Sequence, residues 1–291
     1  MNQLYKRLFL YFMLEGFSEA HKKSKHAYDL QKQNLTEILT EIAKISIKYN
    51  LKNDYLHLNR TQIRLESRKM SKHVISLMKN ETALEHELTE SILNESVKNR
   101  YLQQSYLYNI GLDWNISILS DDKIDKVVNE AFMDKTWSRR ISENKLKTTN
   151  DLNREIKKFL KGQTTPQNIK KIIKDKYGFN AFETHRLVDT EVSRCMNEAC
   201  ETFAREHGIE YQMYSATLDR RTCEICKADD GKVFHIDDPF KPVLPRHPLD
   251  RCCYIDIPDE DWKPKMRKDN VTKKYVPYQN YNSWRKKYVK D

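Results

Sequence analysis

The sequence predicts a mostly α-helical protein that carries a small α+β module in its carboxy-terminal half. Charged residues make up 32% of the chain and hydrophobic residues only 38%, a mixture typical of long amphipathic helices with solvated faces. Apolar residues recur at helical spacing through much of the first two hundred residues, and the whole chain holds just 6 glycines. After Gly208 the apolar residues alternate instead, which indicates strands.

The first segment, residues 1–120, is predicted to be a helical amino-terminal arm. From about Ala27 to Asn50 the apolar residues recur near helical spacing, which predicts one long helix. Residues 51–108 carry two further apolar stripes, which we interpret as two more amphipathic helices. The apolar run Leu8 to Leu14 superficially resembles a signal peptide, but it is too short to span a bilayer. We expect it to be the face of a packed helix.

A second domain is predicted over residues 121–261. It begins at the polar run Ser120-Asp-Asp122, which is suited to cap a helix. A further helix is predicted to run through Ile141 to Leu160 and to end at Gly162, the residue type preferred just after a helix.

Two more helices should follow in this domain. Thr165-Pro166 supplies an N-cap and a proline for the first helical position, and we expect that helix to close at Gly178. Another helix is predicted from about Ala181 to His207, with Cys195 and Cys200 as small core residues.

Three short β-prone runs lie beyond these helices. Ile209, Tyr211 and Met213 alternate with polar neighbours, and Lys232 to Ile236 and Cys253 to Ile257 are the other two runs. We predict that the three pair into a small sheet.

Four soft metal ligands cluster around this predicted sheet. Cys223 and Cys226 form a C-x-x-C pair, and His247 and Cys252 follow after a proline-rich loop. Two thiolates at this spacing can hold one ion from a single turn, and a distant histidine and cysteine then complete a tetrahedron. Because four protein ligands leave no position for water, the pattern predicts a structural zinc ion that closes a loop with little core of its own.

Other interpretations of the cysteines stay open. They could be ordinary core or surface thiols, or two of them could form a disulfide. A thioredoxin-like redox pair is disfavoured because no βαβ pattern surrounds the C-x-x-C motif. Cys253, Asp250 and His235 are candidate substitute ligands. The six cysteines are not scattered as in a secreted disulfide scaffold, which fits a reducing cytosol better.

The third segment, residues 262–291, is a basic and aromatic tail. It contains ten lysines and arginines against two aspartates, so it carries most of the chain's net charge of +10. Cations neutralise phosphates and aromatic rings stack on bases, which predicts nucleic-acid contact. Docking on an acidic protein surface and a merely solvated tail are the alternatives. The predicted contact residues are Lys263, Lys265, Arg267, Lys268, Lys273, Lys274, Trp284, Arg285, Lys286 and Lys287.

Several motifs in residues 121–257 occur in the order of a known family. They are Trp137-Ser-Arg-Arg-Ile141, Thr165-Pro166 after Gly162, Asp189-Thr-Glu-Val-Ser-Arg194 with Asn197, Ala216-Thr-Leu-Asp219, Arg221-Thr-Cys-Glu-Ile-Cys226, Asp230-Gly231 and Pro245-Arg-His-Pro248 with Arg251-Cys252. In these motifs the chain resembles the Mu F-like minor head proteins, or head morphogenesis proteins, of tailed bacteriophages. The amino-terminal half is similar to the family only in its helical character.

The chain departs from the family pattern at two positions. Asp189 stands where the family usually has arginine, so the role of that arginine does not transfer to this chain. Asp250 stands at the first cysteine of the family's His-Pro-x-Cys-Arg-Cys pattern. The metal would then use Cys252 alone, recruit Cys253, or accept the Asp250 carboxylate, which zinc tolerates.

The resemblance implies a virion component present in a few copies. It implies a place inside the capsid at the portal vertex, reached from the host cytoplasm during assembly, and no membrane partner. The implied partners are the portal protein, other capsid or scaffolding proteins and double-stranded DNA, and the implied role is in assembly, DNA packaging or DNA ejection. Minor head proteins of this family are not generally regarded as enzymes, although some relatives carry toxin domains.

The remaining motif residues have structural interpretations. Glu191 and Arg194 stand three residues apart on one predicted helix, with Asn197 a turn further, and we interpret the first two as a surface or inter-element salt bridge. Asp219 and Arg221 flank the metal turn and should orient its backbone and support Cys223.

Two further functional classes compete with this interpretation. A metal-dependent nuclease or toxin-type enzyme would use Glu191, His235 or Asp250 near the ion, although a thiolate-rich ligand set suits a closed site. A zinc-binding transcription factor is disfavoured because no recognition-helix motif is evident.

Overall fold

The protein is mostly helical, as the sequence predicts. The structure is a computed structural model that describes residues 3–112, 115–257, 266–269, 271–280, 283–284 and 286. The described elements in chain order are α1 (Gln3–Tyr49), β1 (Leu51–Lys52), β2 (Tyr55–Leu56), α2 (Arg60–Leu112), α3 (Asp121–Asn129), α4 (Trp137–Leu160), α5 (Pro166–Glu206), β3 (Tyr211–Ser215), α6 (Glu224–Asp229), β4 (Val233–His235), β5 (Cys253–Ile257), β6 (Met266–Lys268) and β7 (Tyr275–Pro277). Among the described helices, none has a stretch apolar enough and long enough to cross a bilayer.

The chain divides into two compact units that do not follow each other in sequence. Unit 1 comprises residues 1–21, 91–130 and 189–291, and unit 2 comprises residues 22–90 and 131–188. The metal ligands predicted from the sequence therefore all belong to unit 1. The predicted three-part division at residues 120 and 261 stays a prediction.

Unit 2 is built around one apolar cluster shared by four helices and the β1–β2 hairpin. On each helix the apolar residues recur every three or four positions, so they lie on one face and point into the cluster. The buried members include Ile38, Ile42 and Ile45 from α1, Leu56 from β2, Met70, Val74 and Met78 from α2, Leu152, Ile156, Phe159 and Leu160 from α4, and Ile169, Ile173 and Tyr177 from α5.

A polar network lies buried within unit 2. The Lys145 ammonium of α4 lies 2.6 Å from a carboxylate oxygen of Glu85 and 3.2 Å from one of Glu81, both on α2. It also donates to the Asn180 side chain of α5. A buried charge is costly unless it is paired. The alignment of α2, α4 and α5 that keeps Lys145 beside its partners is therefore favoured over other alignments.

The predicted turn at Gly162 is confirmed. The Gly162 amide donates to Phe159 O at 2.9 Å and the Gln163 amide donates to Lys158 O at 3.0 Å, which is the hydrogen-bond pattern of a Schellman motif. Gly162 has φ +69°, which glycine adopts without strain. The Thr165 hydroxyl then accepts from the Asn168 amide, so the predicted N-cap of α5 is also present.

Three predicted helix boundaries are wrong. Helix α5 continues through Gly178, because Tyr177, Asn180 and Thr184 continue one buried face past it. The two helices predicted within residues 51–108 are a short hairpin followed by the single helix α2. The helix predicted from about Ala27 begins instead at Gln3, and it includes the apolar run of residues 8–14 as a packed face, as expected.

Unit 1 contains the predicted three-stranded sheet. Its strand order is β4-β3-β5 and both pairings are antiparallel. Every residue of β5 is buried, and Cys195 and Cys200 on α5 are buried core residues, as predicted. Burial raises the pKa of Cys195 to about 12 and that of Cys200 to about 11, so both stay neutral thiols.

The described part of the basic tail packs against the sheet of unit 1, to which it belongs. Strands β6 and β7 pair with each other, and the Tyr278 hydroxyl lies 3.4 Å from Met213 Sδ in β3. Trp284 is fully buried against Leu218 and Val276, so its ring is not free to stack on a base. Of the predicted contact residues, Lys273, Lys274 and Lys286 are exposed, Arg267 and Lys268 lie in β6, and Lys263, Lys265, Arg285 and Lys287 lie outside the described residues.

Candidate metal centre

The C-x-x-C pair sits at the start of a single helical turn. Cys223 is the N-cap of α6, and its sulfur accepts from the Cys226 amide at 3.5 Å. This geometry brings both thiols to the same side of the turn. Cys226 is buried, and the Tyr214 hydroxyl of β3 donates to its sulfur at 3.2 Å.

His247 completes a first group of three ligands. The donor atoms of Cys223, Cys226 and His247 all lie within 4.8 Å of one another. His247 Nδ1 lies 2.9 Å from the Pro248 carbonyl oxygen, which can only accept, so Nδ1 carries the proton. Nε2 then carries no proton in the neutral ring, so its lone pair can bind a metal ion. It lies 3.9 Å from the Cys226 sulfur. A metal-bound histidine commonly has this arrangement.

Cys226 also belongs to a second group, with Cys252 and Asp250. Both carboxylate oxygens of Asp250 accept backbone N–H groups, from Arg246 and Cys252, each at 2.9 Å. Asp250 therefore closes the turn that presents His247 and Cys252. Asp250 stands where the family pattern has a cysteine, and in this chain its carboxylate holds the backbone of the turn.

The electrostatics of the centre favour a thiolate at Cys226. Hydrogen bonds from the Cys252 thiol and the Tyr214 hydroxyl lower the pKa of Cys226 to about 5, against the effect of burial. The same hydrogen bond to Cys226, together with burial, raises the pKa of Cys252. Burial opposes a charged His247 ring, but the hydrogen bond to Pro248 and the neighbouring Cys226 raise the pKa of His247.

The donor set fits a tetrahedral zinc ion. Zinc–sulfur bonds of about 2.3 Å and zinc–nitrogen bonds of about 2.0 Å place a sulfur and a nitrogen ligand about 3.6 Å apart. The Cys226 sulfur and His247 Nε2 are 3.9 Å apart. Cys223, Cys226 and His247 can thus hold a metal ion, and Cys252 lies in the neighbouring group that shares Cys226.

Helix α5 fixes the loop that carries the second pair of ligands. The Thr190 hydroxyl accepts from the Leu249 amide at 3.0 Å, and the Asn197 side chain donates to the Cys252 carbonyl at 3.2 Å. The two residues are seven apart, which places them on one face of the helix, two turns from each other. Asn197, singled out from the sequence, is therefore an anchor of the ligand loop.

The Glu191 and Arg194 pair is present and buried. Arg194 Nε donates to Glu191 at 2.7 Å, and the same guanidinium donates to the carbonyl oxygens of Val127 at 2.7 Å and Val128 at 3.0 Å. These carbonyls end α3, where a cation is favourable. The pair therefore fastens α3 to α5 and is not a surface salt bridge.

Asp219 organises the approach to the C-x-x-C turn. One of its oxygens accepts from the Arg221 amide at 2.8 Å, and the other forms an ion pair with Arg251. The Arg221 side chain itself is exposed. The predicted backbone-orienting role is thus carried by the Asp219 carboxylate and the Arg221 amide.

Two candidate substitute ligands lie outside every candidate metal-ligand group found among the described residues. His235 is exposed at the end of β4, where its Nδ1 accepts from the Asp237 amide at 3.2 Å. Cys253 is buried in β5 and pairs with Ser215 in the sheet. Neither His235 nor Cys253 therefore lies in a position to replace one of the four ligands that the cysteine and histidine spacing predicts.

Three supporting residues were not identified from the sequence. Tyr214 donates to a ligand sulfur, Thr190 holds the ligand loop, and Arg246 reaches from that loop to the Ile225 carbonyl at 3.2 Å and to the Asp229 carboxylate. Thr190 and Arg246 stand inside motifs that the sequence analysis quoted, whereas Tyr214 carries no signal beyond its place in a strand.

These features all lie between the end of α4 and β5, and a family model matches the same stretch. Residues 150–255 match the Phage Mu protein F like protein family. The match confirms the Mu F-like resemblance over this segment. No curated protein and no solved structure gave a significant match to the chain.

Proposed function

We propose that the protein is a portal-associated minor head protein of a tailed phage, in which a zinc ion holds the Mu F-like segment in one fixed shape. The observation that carries this proposal is the ligand group of Cys223, Cys226 and His247 within the segment that matches the family. A thiolate-rich set with four protein ligands binds zinc structurally, because no coordination position is open to water or substrate. The site would hold the protein together and would perform no reaction.

The side chains that a metal-dependent enzyme would need are occupied by structural contacts or lie away from the ligands, which supports a structural role for the site. Glu191 is buried in its pair with Arg194, and both Asp250 oxygens accept backbone amides. His235 is exposed but lies outside the ligand groups found among the described residues. The competing function, a metal-dependent nuclease or toxin-type enzyme, requires at least one of these side chains to act on a substrate beside the ion.

The other elements of the proposal concern partners. Capsid-related partners follow from the family match, and the portal, a scaffolding protein and double-stranded DNA are the candidates that we propose. Lys273, Lys274 and Lys286 are exposed in the described part of the tail, so they can reach a phosphate backbone. The protein would act in the virion during assembly, DNA packaging or DNA ejection.

Metal content tests the zinc centre directly. We expect full-length protein purified without chelator to carry about one zinc ion per chain by elemental analysis, and Cys226→Ser to carry close to none, because Cys226 belongs to both ligand groups. Cys253→Ser is the matched control, since Cys253 lies in the same module outside those groups, and it should retain the metal. Zinc-free wild-type protein with unchanged resistance to heat and chelators would refute the centre.

The partner proposal needs a separate measurement. We expect the full-length protein to co-purify with the portal protein of the same phage, and we expect zinc-loaded protein to leave plasmid DNA intact in the presence of magnesium or manganese. Cleavage that Glu191→Ala abolishes would favour the nuclease instead.

A further inference from the structure

One end of unit 2 brings together four helix termini. Helix α1 ends at Tyr49 and α2 begins at Arg60, joined by the β1–β2 hairpin, while α4 ends at Leu160 and α5 begins at Pro166. The β1–β2 hairpin and the turn between α4 and α5 are in contact. Gly162 lies so close to the Leu56 carbonyl oxygen that a side chain there would collide with it. Leu56 also shares the apolar cluster with residues from the ends of α4 and α5.

This end of the unit, which we call the basic end and define as residues 50–64 and 157–171, is strongly positive. It contains eight lysines and arginines and a single acidic residue, Asp54. Lys158 pairs with Glu155. The other seven are exposed and form no ion pair in the described part of the chain: Lys52, Arg60, Arg64, Lys157, Lys161, Lys170 and Lys171.

Helix stability explains only part of this charge, namely the lysines at the end of α4, Lys157, Lys158 and Lys161. A cation is favourable in the last turn of a helix and unfavourable in the first, yet Arg60 opens α2 and Lys170 and Lys171 stand in the second turn of α5. Neither α2 nor α5 has an acidic residue in its first turn. Their amides are capped instead by neutral side chains, Asn59 with Gln62 in α2 and Thr165 in α5. Because two helices start and two end here, their dipoles oppose one another, and the positive potential comes from the side chains.

The chemistry of the surface selects among polyanions. Single-stranded nucleic acid is held by exposed aromatic rings, and Tyr55 is the one exposed aromatic residue of the basic end. A protein interface has an apolar centre, whereas only Leu51 and Tyr55 offer exposed apolar surface here, at 37% and 41%. Cations interspersed with exposed amides, such as those of Gln163 and Asn168, are instead the groups that contact phosphate and sugar.

We propose that the basic end of unit 2 binds the phosphate backbone of double-stranded DNA without reading its sequence. This site is separate from the tail to which the sequence analysis assigned DNA contact. It also does not depend on the zinc centre or on the phage role, so it can be tested alone.

The test compares two fourfold variants of the full-length protein. Lys157, Lys161, Lys170 and Lys171 are replaced by glutamine in the first, and Lys25, Lys32, Lys79 and Lys126, which are equally exposed and lie elsewhere, in the second. Binding to a short duplex of random sequence is followed by fluorescence anisotropy between about 50 and 200 mM salt. With about 0.9 in the salt slope per phosphate contact, the first variant should lose about 3 to 4 from the slope and bind at least about tenfold more weakly at 100 mM salt. The second should keep the wild-type slope.

Lysine acetylation of the wild-type protein is an independent measurement that requires no substitution. Duplex DNA should protect Lys157, Lys161, Lys170 and Lys171, and should leave the four control lysines reactive. Equal loss of binding in both variants, or protection by an acidic polypeptide but not by DNA, would overturn the proposal. So would complete loss of binding when only Lys273, Lys274 and Lys286 are replaced by glutamine, a result that would leave the proposed head function intact.

Discussion

At the scale of single residues, Cys226 connects the two halves of the candidate metal centre. It belongs to the Cys223–His247 group and to the Asp250–Cys252 group, and it accepts hydrogen bonds from the Tyr214 hydroxyl and the Cys252 thiol. The spacing of the cysteines and His247 was enough to predict this cluster. Tyr214 and Thr190 could not be predicted, because a hydroxyl that supports a ligand is recognised only when the fold places it beside that ligand.

Asp256 is a second residue whose environment has a measurable consequence. Its carboxylate is buried in β5 and accepts from Gln212 at 2.7 Å and from Gln104. Burial raises the pKa of Asp256 to about 6, although hydrogen bonds from Gln212 and Gln104 and the nearby Arg100 oppose the shift. The folded protein therefore binds this proton more tightly than the unfolded chain does.

This preference predicts a pH dependence of stability. Because the folded-state pKa lies above the ordinary value of 3.8, the contribution of Asp256 is fully present below about pH 4 and is lost as the pH rises through about 6. The loss should be about 3 kcal/mol in the free energy of unfolding. Asp256→Asn, which resembles the neutral acid, should remove this part of the dependence in urea unfolding measured from pH 4 to 7.

Asp175→Asn is the control for this experiment, because Asp175 is exposed on α5. It should follow the wild-type profile. If Asp256→Asn also kept the wild-type slope across this interval, the buried carboxyl would be ionised throughout.

At the scale of elements, two glycines of similar sequence appearance have opposite roles. Gly162 follows α4 with φ +69° and lies against the Leu56 carbonyl, whereas Gly178 lies inside α5 with open space around it. The first is required by the backbone, and the second costs helix stability through its flexibility.

Alanine substitution should separate the two glycines. Gly162→Ala should destabilise the protein by at least about 1 kcal/mol, because the left-handed conformation and the approach of Leu56 both oppose a side chain. Gly178→Ala should stabilise it by about 0.5 to 1 kcal/mol. Thermal melting of both variants gives the comparison, and a stabilising Gly162→Ala would contradict the turn geometry.

The same pair shows how far elements could be predicted from the sequence. The turn at Gly162, the cap at Thr165 and the three strands were predicted correctly, since each rests on local backbone chemistry. The break at Gly178 was wrong because a glycine in a helix with a continuous buried face has no effect on its course. The single helix α2 was missed because Glu81 and Glu85, paired with Lys145, occupy core positions and interrupt the apolar pattern.

At the scale of the whole molecule, the grouping into two interleaved units depends on contacts between residues far apart in sequence. Such contacts leave no local pattern, so the sequence could suggest only consecutive domains. The metal ligands predicted from the sequence lie in unit 1, and α4 lies wholly in unit 2.

This arrangement predicts a regional response to metal removal. Treatment with a zinc chelator should increase amide hydrogen exchange in α6, β3 and β5, because the ligand loop loses the ion that closes it. Exchange in α4, whose core is apolar and contains no metal ligand, should stay within error of the untreated protein. Equal acceleration in α4 would show that the ion stabilises more than its own module.

The three attachments made by α5 limit how the protein can change in length. Thr190, Arg194 and Asn197 must point at fixed targets, and inserting one residue between the first and the last would rotate them apart by about 100°. Relatives should therefore tolerate substitution in this stretch far more readily than gain or loss of a residue.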